Sequence, residues 1–299
     1  MRNTTFLICS ILLTIFSGCT NTQKTPVSTI TADKILQNVS WLASDELQGR
    51  YYRSVEARKA AKYIADKWKL AGLIPLPTKT SMYLPTDDVR DSPNVACVYK
   101  GTGNTYVLLT AHYDHLKPRR TGKDKIYNGA DDNASGVSAL LVIANALEQL
   151  QTPLQSSIIL VAFTGEEAGL VGSEHFANNP PIPLHNIRGL INLDMISRGE
   201  PNTIFLEGAP DAPRINLAIT KANKQIGLNI VRNAHPDWLY RSDQAPFLEQ
   251  GVPAVFFSVE DHEDYHRVTD HTGKIIPELA AKTAQLAFLA AIDLAHPVP

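Results

Sequence analysis

The sequence predicts a three-layer α/β/α sandwich built on a mixed, mostly parallel central sheet, and three observations carry that expectation. Short segments such as Ile158-Ile-Leu-Val-Ala-Phe163 are wholly apolar, without the polar alternation of a half-solvated strand, so both of their faces must be covered. Segments with helical spacing fall between these apolar runs, as a sheet with helices on both sides requires. A chain of 299 residues with 44% hydrophobic content and a formal charge of −2 suits one large domain with a substantial core. No excess of basic residues points to nucleic acid.

The N-terminus reads Met1-Arg2-Asn3, an apolar run from Phe6 to Phe16, then Ser17-Gly18-Cys19: a positive start, a hydrophobic stretch and a small-residue cleavage site. That run is too short for a permanent membrane span. With a cysteine at the cleavage point, residues 1–18 resemble a bacterial lipoprotein signal peptide, which implies a lipid anchor on Cys19. Thr20, in place of Asp, implies sorting to the outer membrane, facing the periplasm. Residues 19–30 are small and polar and read as a flexible tether, leaving 31–299 as a single domain. On that reading Cys9 would leave with the signal and Cys19 would be acylated, leaving Cys97 without a disulfide partner; its apolar surroundings point to a buried structural thiol.

Within the domain, residues 31–43 and 54–71 read as helices, the second with Ala57, Ala60, Ala61, Ile64, Ala65, Trp68 and Leu70 on helical spacing and Gly72 as its stop. Strands are expected near 94–99 and 105–111, a helix over 134–150, a strand over 157–163 and a short helix near 169–178. Strands near 187–193 and 203–207, helices near 211–226 and 243–250, a strand at 253–258 and a helix over 277–294 complete the order. The loop from 113 to 131 is long and polar, as functional loops often are.

Metal-type side chains follow the apolar strands. His112 follows Tyr106-Val-Leu-Leu-Thr-Ala111, Glu166-Glu167 follow the strand at 157–163, Asp194 closes Gly189-Leu-Ile-Asn-Leu193, and His266 lies beyond Pro253-Ala-Val-Phe-Phe-Ser258. In open α/β sheets the crevice lies at the carboxyl ends of the strands, so these positions point into one place. Asp114, two residues after His112, is placed to take that imidazole's second N–H. Asn128-Gly-Ala-Asp-Asp-Asn-Ala-Ser-Gly136 opens a helix that Asn133 or Ser135 can cap, and one of its two acids can bridge a pair of cations. Of the Glu166-Glu167 pair, one can ligate while the other stays free as a base.

At these residues the chain resembles the co-catalytic dizinc aminopeptidase family, the bacterial leucyl aminopeptidase and aminopeptidase S type. Matching segments are Ala111-His-Tyr-Asp-His115, Gly129 to Gly136, Thr164 to Ser173, Asn192-Leu-Asp-Met195, Tyr265-His266 and, upstream, Leu42 to Arg50. The resemblance implies two zinc ions per chain, with His112 and Asp194 on one, Glu167 and His266 on the other, and Asp132 bridging. It further implies Glu166 as general base, Asp114 as the orienter of His112, Tyr265 as oxyanion donor, and peptides as substrates. Arg241 is a candidate substrate contact. Gln244 stands where the family commonly has histidine, which bears on the substrate pocket, and the protease-associated insertion of some relatives is absent from between the N-terminal helices and the strands.

Other readings compete. His262-Glu-Asp-Tyr-His266 matches H-E-x-x-H, which requires both histidines on one helical face, yet its neighbours offer no apolar stripe and read as a loop. A glutaminyl cyclase shares the fold but resembles a single-zinc site, and a non-catalytic binding lipoprotein would have lost ligands. His175, His185, His235 and His296 read as surface or core residues.

Overall fold

The computed structural model describes residues 25–86 and 92–296, so the signal-peptide and Cys19 expectations lie outside the described residues. Among the described residues, eight strands form one sheet in the order β1-β2-β4-β3-β5-β8-β6-β7. The strands are β1 (Tyr83–Leu84), β2 (Asn94–Tyr99), β3 (Tyr106–His112), β4 (Ser157–Phe163), β5 (Ile187–Leu193), β6 (Thr203–Glu207), β7 (Asn229–Arg232) and β8 (Ala254–Ser258). The central neighbours β4, β3, β5 and β8 all run parallel, whereas β1 and β2 at one side and the β6–β8 pairing at the other are antiparallel. The four parallel strands therefore end on the same edge of the sheet.

Alternation along β4 makes the three layers visible. Ile158, Leu160 and Ala162 pack with helices α1 (Ala32–Leu42), α2 (Val55–Leu70), α3 (Gly136–Glu148), α5 (Pro213–Ile226) and α7 (Pro277–Ala295) in one core. Ile159, Val161 and Phe163 enter a second core with Phe176 of α4 (Val171–Asn178) and Phe247 of α6 (Ala245–Glu249). The layers are unequal: five helices cover one face and two short ones the other. Phe163, Phe176 and Phe247 meet with ring centroids 5.7–6.0 Å apart and fill the thinner side. Truncating one such buried phenylalanine to alanine typically costs about 3–5 kcal/mol.

Local rules account for most helix ends. Ser54 accepts from the Ala57 N–H at 3.0 Å and caps α2, and Gly72 just beyond the helix takes a left-handed φ of +71°. Asn133 Oδ1 accepts from the Gly136 N–H at 2.9 Å and opens α3; Ser135, the other capping candidate, donates instead to the Asp131 carbonyl.

Several sequence expectations shift. The helix expected from 134 begins at Gly136, because Ala130–Ser135 forms a wide π-type turn. Strands β1 and β7 were not expected; each is short and lies at an outer position of the sheet. Residues 26–30, expected to be part of a flexible tether, are folded onto the domain. Pro26–Thr29 forms a 3-10 turn, Val27 and Ile30 are buried in the larger core, and Gln285 donates to the Ile30 carbonyl at 2.8 Å. Cys97 is free and buried, with burial pushing its thiol well above the ordinary range. Among the described residues no helix is long and apolar enough to cross a membrane.

Candidate metal centre

His112 is the last residue of β3, Glu166 and Glu167 lie on the loop after β4, and Asp194 directly follows β5. Since these strands are parallel neighbours, their carboxyl ends bring His112, Asp194 and the start of the Glu166-Glu167 loop to one edge. Asp132 arrives from the π-type turn and His266 from the turn after β8, where its φ is +54°.

The distances sort these residues into two groups joined by one carboxylate. His112 Nε2 lies 3.1 Å from Asp194 Oδ1 and 3.3 Å from Asp132 Oδ1. His266 Nε2 lies 3.1 Å from Glu167 Oε2 and 3.3 Å from the other Asp132 oxygen, Oδ2. Donors bound to one tetrahedral zinc at its usual bond lengths stand about 3.3–3.5 Å apart, so both sets are close to the edges of such a polyhedron. The residues fit two such ions, with Asp132 between them.

Two further groups come close, and one of them, His115, has its Nδ1 3.6 Å from Asp132 Oδ2. Glu166 lies with His112 and Asp194 in a cluster whose donor atoms are within 4.8 Å of one another, but its Oε2 is 3.9 Å from His112 Nε2. It stands beside the first set as the free carboxylate. His115 lies within the same range of Asp132 and Glu167, and its Nδ1 is 2.6 Å from Glu167 Oε1, a hydrogen-bond distance.

Charge in the site is unbalanced in a way that suits cations. Burial opposes the charged form of His112, yet Asp194, Glu166 and Asp132 hold its imidazole well above the usual range. His266 behaves likewise and is pushed up to about 10, burial being outweighed by Asp132 and Glu167. Burial also works against the Asp132 carboxylate, but His115, His112 and His266 bring it well below its ordinary value. Glu166 moves the opposite way: burial raises it most, and nearby Asp194, Asp243 and Glu167 add to the effect over the opposing pull of His112.

Supporting residues fix the ligands. Ser242 donates to Asp194 Oδ2 at 2.7 Å and accepts from Asn192 Nδ2 at 2.9 Å. Asp270 accepts from the backbone N–H groups of Asp131 and Asp132, each at 3.1 Å. Arg50, buried at 1% exposure, donates to the carbonyls of Tyr113 (2.8 Å), Asn128 (2.7 Å), Gly129 (3.0 Å) and Leu42, tying the segment after His112 to the approach of Asp132.

Some assigned roles change. The His112 ring faces the Asp114 backbone carbonyl at 3.1 Å, with the Asp114 carboxylate at 3.8 Å; that carboxylate accepts instead from the Glu166 N–H at 3.2 Å. Asp114 thus meets His112 through its main chain and the Glu166 loop through its side chain. Gln244 is buried behind Asn192, donating to Leu239 and accepting from Asn192, and does not line the cavity. The H-E-x-x-H segment is a run of turns: His262 turns away to Asp131 Oδ2 at 3.1 Å while His266 faces the centre. His115, Arg50 and Ser242 were not recognised beforehand; His115 and Arg50 lay inside the matching motifs, whereas Ser242 carried no signal beyond its place beside Arg241.

A cavity opens beside Asp132, Glu166 and Asp194, walled by Met195, Trp238 and Phe256, with Arg241, Asp261 and Tyr265 at its polar side. The Tyr265 ring stacks on His266 at 3.9 Å, and Arg241 pairs with Asp261 at 3.4 Å.

The sequence profile of peptidase family M28 matches residues 94–291, a span that holds every candidate metal ligand described above. A probable zinc metalloprotease of Leptosphaeria maculans is 28% identical over 262 residues, which cover 77% of this chain but 58% of that protein; the chain spans little more than half the length of the curated relatives it matches. Among solved structures, the Legionella pneumophila LapA aminopeptidase superposes with a TM-score of 0.77 at 20% identity, covering 92% of this chain and 74% of that one. A Porphyromonas gingivalis glutaminyl cyclase superposes at 0.69 with 19% identity, over 87% and 97% of the two chains. The fold alone therefore does not choose between peptide hydrolysis and cyclisation.

Proposed function

Because the chain belongs to peptidase family M28, we propose that it is a zinc-dependent aminopeptidase that removes N-terminal residues from peptides, using two zinc ions and Glu166 as general base. The observation that carries this reading is the division of Asp132: one oxygen 3.3 Å from His112, the other 3.3 Å from His266. His112 and Asp194 would hold one ion and Glu167 and His266 the other. When bound, such ions polarise the scissile carbonyl and make a water acidic near neutral pH.

The remaining work falls to the side chains. Glu166 lines the cavity beside the donors, and burial with neighbouring Asp194 and Asp243 lifts its proton affinity well above that of an ordinary glutamate. It takes a proton from the attacking water and passes it to the leaving amine. Tyr265, on the cavity wall, offers its hydroxyl to the oxygen on which negative charge builds. Met195, Trp238 and Phe256 receive an apolar side chain, and Arg241 offers its guanidinium to a carbonyl or carboxylate of the peptide.

Replacing Glu166 by Gln is expected to leave metal content intact and to lower kcat by about 10²–10⁴, the size of lost acid–base help. Glu263→Gln serves as the counter-test: if it abolishes turnover while Glu166→Gln does not, the H-E-x-x-H reading takes over. Metal analysis together with aminoacyl-nitroanilides and N-blocked dipeptides separates the alternatives, since one tightly held ion would favour a cyclase. We propose further that the protein is lipid-anchored through Cys19 to the outer membrane, facing the periplasm. Cys19→Ser should then release it into the soluble fraction.

A further inference from the structure

We propose that His115 is a positioning residue of this centre: its Nδ1–H holds Glu167 Oε1 and thereby presents Glu167 Oε2 beside His266 as the ligating atom. The proposal rests on the two-metal reading above and assigns a role to the second histidine of the Ala111-His-Tyr-Asp-His115 segment.

Although Asp132 Oδ2 stands 3.6 Å from its Nδ1, the shorter contact with Glu167 argues for His115 as the support of a ligand. Its Nδ1 lies 2.6 Å from Glu167 Oε1, shorter than the separation of about 3.3–3.5 Å expected for two donors on one tetrahedral zinc. The other Glu167 oxygen, at 3.1 Å from His266 Nε2, comes close to that separation. Glu167 therefore divides its oxygens between a hydrogen bond and a ligand role.

The ring is built into its place. His115 is fully buried, and a Cβ on Gly129, whose φ is +57°, would fall 2.6 Å from the ring's Cδ2; glycine there keeps the space for the imidazole. Its second nitrogen, Nε2, is buried and has no hydrogen-bond partner. Because a carboxylate oxygen accepts, the ring N–H that meets Glu167 Oε1 is the one on Nδ1.

The first donor set has the same construction. Asp194 gives Oδ1 to the His112 side while Ser242 holds its Oδ2 at 2.7 Å. Each terminal carboxylate thus has its far oxygen held by a neighbour, whereas Asp132 turns one oxygen to each side. Groups that orient metal ligands in this way are commonly worth 10–100-fold in metal affinity.

The test is zinc binding by the full-length protein in zinc-buffered chelator, with stoichiometry by elemental analysis, for wild type, His115→Ala and His115→Asn. Asparagine can place an amide N–H near the position of Nδ1. The expected result is two zinc ions in wild type, one retained tightly in His115→Ala with the second bound about 10–100-fold more weakly, and most of that loss restored in His115→Asn. Second-site affinity in His115→Ala equal to wild type would overturn the proposal, as would an equal loss of both ions that His115→Asn fails to restore, which would mark a packing role. A wild type holding fewer than two ions removes the two-metal reading and this proposal with it.

Discussion

The two halves of the centre are held by different kinds of structure. His112 and Asp194 stand at the ends of neighbouring central strands, at 1% and 7% exposure, so the sheet's hydrogen bonds fix them. His266 sits on a left-handed turn well past β8, with its side chain 38% exposed. That turn is held by side chains: Asp264 pairs with Arg198 at 2.7 Å and Lys274 at 2.5 Å, and His262 reaches Asp131 at 3.1 Å. The contrast teaches that one half comes with the fold, while the other depends on a small polar network that can loosen by itself.

The most disruptive change would break both halves together. Arg50 is the shared clamp, and Arg50→Met leaves four buried carbonyls without their donor and removes a cation from among Asp132, Asp114 and Asp270. Chemical denaturation should show a loss of about 3–5 kcal/mol, the cost typical of breaking a buried charged network. A loss below about 1 kcal/mol would mean that the loops hold without the clamp.

A smaller change should separate the halves. Although burial works against its charge, hydrogen bonds from Lys274, Thr269 and Arg198 hold the Asp264 carboxyl well below the usual carboxylate range. Asp264→Asn should weaken the zinc ion at His266 by about tenfold and leave the ion at His112 unchanged, as read by competition with a chelator. Equal weakening of both would erase the distinction between the sheet-held half and the loop-held half.

The gentlest probe is pH. In the metal-free protein His266 titrates at about 10, raised from an unfolded value near 6.5 by Asp132 and Glu167 against the effect of burial. Its contribution to stability is thus fully present below about pH 6.5 and is lost as pH rises through 10. Zinc requires the neutral ring, so affinity should climb over the same interval, by about one decade per pH unit for each proton released. Calorimetry in buffers of different ionisation enthalpy counts those protons, and a proton-neutral binding event would contradict the assignment.

How much of this was legible in the sequence follows the same division. Strand-end donors could be read because wholly apolar runs announce buried strands, and the residue after such a run falls at the crevice by topology alone. His266 could be placed only loosely by strand order, since it lies eight residues beyond Ser258 on a turn with no periodicity, and the resemblance supplied its ligand role. Supporting contacts were hardest: the Ser242 hydroxyl and the Arg50 guanidinium act across 48 and up to 79 residues of chain, and no local pattern encodes such a meeting. Asp114 shows the limit of chemical intuition, because a carboxylate two residues from a histidine looks like its partner while the main-chain oxygen does that task. The order of residues 26–30 was hidden for a related reason: two apolar residues among small polar ones give no periodic signal, yet Val27 and Ile30 are both buried in the larger core.

The sheet's outer strands have a consequence of their own. β1 runs for two residues, and β7 for four, ending in Arg232. Rims this brief offer an incoming polypeptide few free amide and carbonyl groups to zip onto, and a terminal cation discourages stacking of like copies. On the proposed reading, peptides approaching the metal centre would find little along the sheet's flanks to adhere to.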